Sequence, residues 1–203
     1  MMQSKEVIVF EVAGEKPASQ PLKYTLCGLD NVYLRNGFTQ EDDDGEIYTA
    51  VENVEDLHLM IALRLAVLRR RLSGQEMRFL RKYLDLTQED VGRFFDVTRK
   101  TINEYERGAE LPRPSQIILQ LKVARKLLGE LVQQLKADES DGRQIRPNLK
   151  AISNWLLDVH EEMKDWLLEI RDESTGPDLP PPFMIKAAIG SWKLKFDGDR
   201  HRP

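Results

Sequence analysis

The sequence predicts an α+β fold that is mainly helical: a small β-rich region first, a central bundle of short capped helices, and a helical region last. Three observations carry this. The first 50 residues concentrate Val, Ile, Tyr and Leu between Gly, Asn and Asp turns. From residue 54 onward apolar residues recur at steps of three and four. Between residues 76 and 112, Thr87 and Thr98 stand where the N-caps of two short helices belong.

Taken in order, strands are expected over 6–12, 22–26, 31–34 and 46–51, with Gly28, Asn36-Gly37 and the run Glu41-Asp42-Asp43-Asp44-Gly45 supplying turns and 13–21 a loop. These make a small sheet, a platform for a partner more than a stable domain alone. A helix follows over 54–72, with Leu57, Ile61, Leu65 and Leu68 on one apolar face, ending before Ser73-Gly74. After the central bundle comes an amphipathic segment over 115–136, then a polar connection over 137–147. A further amphipathic helix is expected over 148–171, with Trp155 and Trp166 on a stripe that suits either an internal core or a dimer seam. Prolines 177, 180, 181 and 182 end helical structure, and the apolar stretch 183–196 calls for a docking surface on this chain or on a partner. The domain reading is therefore 1–53 β-rich, 54–136 helical with the central motif at 76–112, and 137–203 linker, helix and C-terminal docking segment.

Composition narrows the class. At 203 residues, with 41% apolar and 32% charged residues, the chain reads as an ordinary soluble protein. Arg64 and Arg69 interrupt its apolar run at 61–72, so no membrane span of about 20 residues is expected. The start, Met1-Met2-Gln3-Ser4-Lys5-Glu6, lacks the apolar run of a signal peptide, and a cytoplasmic location is expected. Cys27 is the single cysteine, read as a small buried apolar residue; it allows no disulfide within the chain and no cysteine-rich zinc finger. His58, His160 and His201 match no metal-ligand spacing, so no metal and no cofactor is expected. No nucleophile, base and orienting group assemble from local motifs, so an enzyme is not expected. The net charge of −4 is unevenly spread: residues 64–126 hold 15 Lys and Arg against 8 Asp and Glu, a net of +7 that leaves −11 for the rest. A basic middle between acidic flanks suits docking on a phosphate backbone, and equally a solvated charged helix surface.

The central segment is read residue by residue. A first helix over 75–84 offers Met77, Leu80 and Leu84 to a core. Thr87 caps a second helix over 88–95, with Asp90 as the capping-box acid. Asp96 and Val97 make a short turn, Thr98 caps a third helix over 99–106, and Gly108 supplies the left-handed position that ends it. Pro112 and Pro114 stiffen a link before Ser115 caps the next element. Two short capped helices so joined are a rigid device sized for the major groove of B-form DNA. The exposed positions of the third helix are then Arg99, Lys100, Thr101, Asn103 and Glu104, with Thr98 at its start; Arg and Lys suit guanine edges, Thr a thymine methyl, Glu a cytosine amino group. Arg99, at the helix start, equally suits phosphate. Gln88 can bond a phosphate beside free helix amides. Ile102 and Tyr105 face inward, and Arg81 and Glu106 are candidates for an internal ion pair.

The stretch LRKYLDLTQEDV at 80–91, the stretch VTRKTINEYERG at 97–108, and Pro112 together resemble the lambda-repressor-like, Cro/C1-type helix-turn-helix family, also called XRE. The resemblance implies phosphate contact by Gln88 and base or groove contact by Arg99, Lys100, Thr101 and Glu104. Three positions depart from the family pattern: Asp85 and Asp96 stand where glycine is usual, and Gly92 where alanine is usual. A second resemblance, on YTLCGLDNVYLRNGF at 24–38 and LSGQEMRFL at 72–80, is to the MqsA/YgiT type of antitoxin. It implies a DNA-binding homodimer that represses a promoter; the paired zinc-binding cysteines of that group are missing here. The expectation is a dimeric repressor bound to double-stranded DNA. The alternatives are an autoregulating antitoxin that neutralises a protein toxin and a ligand-responsive regulator.

Overall fold

The computed structural model describes residues 7–12, 15–68, 70–140, 154, 157–158, 161 and 192–195. Two compact units are present, one within Met1–Met60 together with Pro182–Pro203, the other within Ile61–Pro181.

In the first unit, strands β1 (Ile8–Val12), β2 (Leu22–Lys23), β3 (Val32–Leu34) and β6 (Trp192–Lys195) form one sheet in the order β2-β3-β1-β6. β1 is parallel to β3, pairing Ile8 with Val32, and antiparallel to β6, pairing Val12 with Trp192. Ile8, Phe10 and Val12 are buried while Val9 and Glu11 are half-buried, the alternation of a sheet with one face on a core. Buried Asn36 finishes β1: its Oδ1 accepts from the Val12 amide at 2.6 Å and its Nδ2 donates to the Val12 and Glu15 carbonyls at 3.0 and 3.1 Å. Of the apolar stretch 183–196, residues 192–195 thus dock by backbone pairing on the edge of β1. Residues 183–191, the prolines before them and most of 148–171, including Trp155 and Trp166, lie outside the described residues.

The run at 41–45 is not simply a turn. β4 (Phe38–Asp43) pairs with β5 (Glu46–Val51) in a hairpin, with Asp43 opposite Glu46. Only Asp44 and Gly45 turn, at φ 53° and 87°, the two positive values that a tight two-residue hairpin loop needs. The acidic residues hid the strand because Asp and Glu are poor strand formers elsewhere.

Helix α1 (Val54–Ala66) stops six residues short of its expected end at 72. A side chain takes over at its end: the Gln120 amide donates to the carbonyl of Leu65 in the last turn and to that of Leu68 just beyond it, at 2.9 and 2.8 Å. Gln116 then accepts from the Leu72 amide and donates to the Arg70 carbonyl, both at 3.0 Å. Both glutamines are buried, and they supply partners to the Leu68 and Arg70 carbonyls and the Leu72 amide of this non-helical segment. Leu57, Ile61 and Leu65 are fully buried, and Leu68 is half-buried beyond the helix end.

The second unit holds α2 (Gly74–Tyr83), α3 (Gln88–Phe95), α4 (Arg99–Glu106) and α5 (Arg113–Ser140). α5 begins two residues before the expected cap at Ser115, with Pro114 in the first turn, where a missing N–H costs nothing. It also runs through 137–140, the start of the expected connection, while 141–147 lie outside the described residues. Met77, Leu80, Val91, Ile102, Leu111, Val123, Leu127 and Leu131 form the core.

Cys27 is half-buried rather than buried, and its thiol, facing the Tyr24 carbonyl at 3.6 Å, is pushed up by burial. The Tyr24 hydroxyl meets His58 Nε2 at 2.9 Å. Burial pushes the Tyr24 hydroxyl up to about 12, helped by the charge of Cys27, and lowers the His58 pKa against the pull of Glu55. A lowered His pKa means that the unfolded chain takes up the proton first. Stability from His58 is therefore complete above about pH 6.5 and lost as pH falls below it towards the folded pKa. Urea melts across that range should show the loss, and His58→Gln should flatten it.

Candidate nucleic-acid interface

The α3–α4 unit is built from its caps. The Thr87 hydroxyl accepts from the Asp90 amide at 3.1 Å, and the Asp90 carboxylate accepts from the Thr87 amide at 2.9 Å. The Thr87 hydroxyl and amide, with Arg93 nearby, hold the exposed Asp90 carboxyl below the usual carboxylate range. α3 ends on Asp96 in the left-handed conformation, φ 53°, and α2 is followed by Asp85 at φ 58°. Aspartate tolerates this conformation better than most residues, so both turns keep their geometry without glycine. Lys126 of α5 fixes the first turn, donating to Asp85 at 2.9 Å and lying over the Tyr83 ring. The Tyr83 hydroxyl donates to Glu130 at 2.6 Å; burial first, then that carboxylate, raises its pKa well above the usual range.

Gly92 sits where the turn folds back on α3. A Cβ built there would lie 2.7 Å from the Val97 carbonyl oxygen, which is the physical reason for glycine where the resembled family has alanine.

Thr98 caps α4, accepting from the Thr101 amide at 3.2 Å, and Gly108 closes the helix at φ 115°. Arg99, Lys100 and Glu104 are exposed; Thr101 and Asn103 are half-buried, and Ile102 is fully buried. Lys100 and Glu104 pair at 4.0 Å on the helix surface, and the Thr98 and Thr101 hydroxyls meet at 3.0 Å. Tyr105 is half-buried rather than turned fully inward. The expected interface residues, on α4 and its cap except for Gln88 at the start of α3, thus split between an open row at Lys100 and Glu104 and a cleft between α2, α3 and α4 that is lined by Gln88, Arg99 and Asn103.

The floor of that cleft is a polar hub. Arg81 donates through Nε and Nη2 to Glu106, the latter at 3.2 Å, and through Nη1 to the Leu86 carbonyl at 2.8 Å. Gln88 Nε2 donates to the same Glu106 carboxylate at 2.9 Å. One amide hydrogen of Gln88 is therefore committed to the fold, and a phosphate contact has the other hydrogen and the backbone amides at the start of α3. Two further residues line the cleft that sequence reasoning missed, Arg78 on α2 and Arg107 at the C-cap of α4. Both lie outside the exposed first turns of α4, and although each falls within a stretch that carries a family resemblance, neither was assigned a contact there.

This arrangement of short capped helices around a tight turn is that of a helix-turn-helix unit. Residues 77–129 match the family model described as Helix-turn-helix, so this part of the chain is a helix-turn-helix domain of the Cro/C1, or XRE, type. The match supports a DNA-binding transcriptional regulator. No curated protein and no solved structure matches the chain. Among the described residues, no helix is long and apolar enough to cross a membrane.

Proposed function

We propose that the chain is a non-enzymatic, sequence-specific repressor that binds double-stranded DNA as a homodimer. In this reading α4 enters the major groove, and two copies address half-sites about 34 Å apart on one face of the duplex. The observation that carries it is the helix-turn-helix match at 77–129, on a segment whose Arg99, Lys100 and Glu104 are exposed. Lys100 and Glu104 would exchange their mutual pairing for base edges, and Gln88 would anchor the backbone.

Footprinting on the DNA upstream of its own gene, with scrambled duplex as competitor, tests this directly. A protected palindrome is expected; protection erased equally by scrambled DNA would remove the claim of specificity. Within the site, Lys100→Ala is expected to weaken operator binding by about 1–3 kcal/mol and scrambled binding far less. Gln88→Ala should weaken both alike, and a parallel loss in the two variants would undo the division between reading and anchoring residues.

A further inference from the structure

The cleft between α2, α3 and α4 is lined by three carboxylates, Asp85, Glu89 and Glu106, and by four arginines, Arg78, Arg81, Arg99 and Arg107. Each carboxylate has a cation of its own: Asp85 pairs with Lys126 at 2.9 Å, Glu89 with Arg93 at 2.8 Å, and Glu106 with Arg81. Of the arginines, only Arg81 is taken. Arg78, Arg99 and Arg107 are exposed and pair with no carboxylate among the described residues. Two helices, α2 and α4, thus bring three guanidinium groups to one concavity without counter-charge. Their mutual repulsion is relieved by an anion, and a guanidinium fork matches two phosphate oxygens at once.

The geometry points to a seat for one phosphodiester group of the DNA backbone, shared by Arg78, Arg99 and Arg107 beside the start of α3. This rests on the DNA-binding reading above and deepens it. Arg99 becomes a positioning residue on the backbone, and sequence reading falls to Lys100, Thr101 and Glu104. Arg78 ties the seat to α2, so the backbone contact also sets the angle at which α4 enters the groove.

The test compares the full chain with the variant Arg78→Gln, Arg99→Gln, Arg107→Gln, whose exposed substitutions leave the core intact. Binding to a mixed-sequence duplex of about 30 base pairs is followed by fluorescence anisotropy between about 50 and 200 mM NaCl. If the three arginines share one phosphate, the slope of log K against log salt becomes shallower by about 0.9 in the triple variant. A change near 2.7 would mean three separate phosphates, and no change would mean none; either overturns the shared seat.

A second arm uses inorganic phosphate, which offers the same chemistry without DNA. Melting in sodium phosphate against sodium chloride at equal ionic strength should raise the Tm of the parent chain and not of the variant. A parent chain that ignores duplex but still gains stability from phosphate through these arginines would sink the DNA reading and leave the anion seat standing. Loss of both responses would overturn the seat itself.

Discussion

Glu106→Ala is expected to destabilise the helix-turn-helix unit by about 3–5 kcal/mol, the cost of stranding one partner of a buried ion pair. The side chains of Arg81 and Glu106 are only 11% and 5% exposed, and the carboxylate also receives the Gln88 amide. Removing it takes away the acceptor of Arg81 Nε and Nη2 and of the Gln88 amide at the joint between α2 and α4, and leaves the guanidinium only the Leu86 carbonyl. A thermal melt reads the loss as a fall of at least about 12 °C for a unit of this size. The pair itself is replaceable. Arg81→Met combined with Glu106→Leu should recover most of the loss, because apolar side chains of similar volume avoid the desolvation of both charges. A Glu106→Ala melt within a degree or two of the parent would show that Arg81 finds water or another acceptor when its partner goes.

A second large effect is expected from adding one methyl group. Gly74 opens α2 against the last turn of α4, and a Cβ there would lie 2.6 Å from the Tyr105 carbonyl oxygen and nearer still to that of Glu106. Those oxygens belong to backbone and cannot rotate away, so Gly74→Ala should cost about 1–3 kcal/mol of overpacking. Alanine's better helix propensity, about 1 kcal/mol, works in the opposite direction and is outweighed. Gly129 on α5 provides the control, since a Cβ there meets nothing within 4 Å. Gly129→Ala should stabilise by about 0.5–1 kcal/mol. Urea denaturation of both variants beside the parent checks the opposite signs; the same sign in both would mean that α2 and α4 separate easily enough to absorb the methyl.

The second unit was the more legible of the two because its signals are local. Thr87 with Asp90, and Thr98 ahead of Arg99, mark helix starts within one turn, and the observed α3 and α4 begin and end at the expected residues. Asp85 and Asp96 were readable as turn residues on their own chemistry and take positive φ. What escaped depends on distant partners. The end of α1 is set by Gln120, whose side chain reaches Leu65 across 55 positions of sequence, and nothing between 66 and 72 announces it. β4 was hidden because each Asp and Glu there suggests a turn, and only pairing with β5 makes the segment extended. Arg78 and Arg107 sit in recognisable stretches that assign them no contact, and only the folding of α2 against α4 brings them to the cleft that also holds Gln88 and Arg99. Cys27 was read as buried because small apolar residues usually are, but exposure at a given site is decided by neighbours.

The pairing of β1 with β6 sets an order of events during synthesis. Glu11 waits for Lys193, 182 positions later, before that edge of β1 is filled. At about 5–20 residues per second, the interval is on the order of ten to forty seconds, long enough for the helices between to fold first. Until then β1 presents an unfilled edge able to recruit strands from other nascent chains. Ribosome-bound chains truncated before residue 192 should therefore be the aggregation-prone species, while the helix-turn-helix domain inside them is already formed.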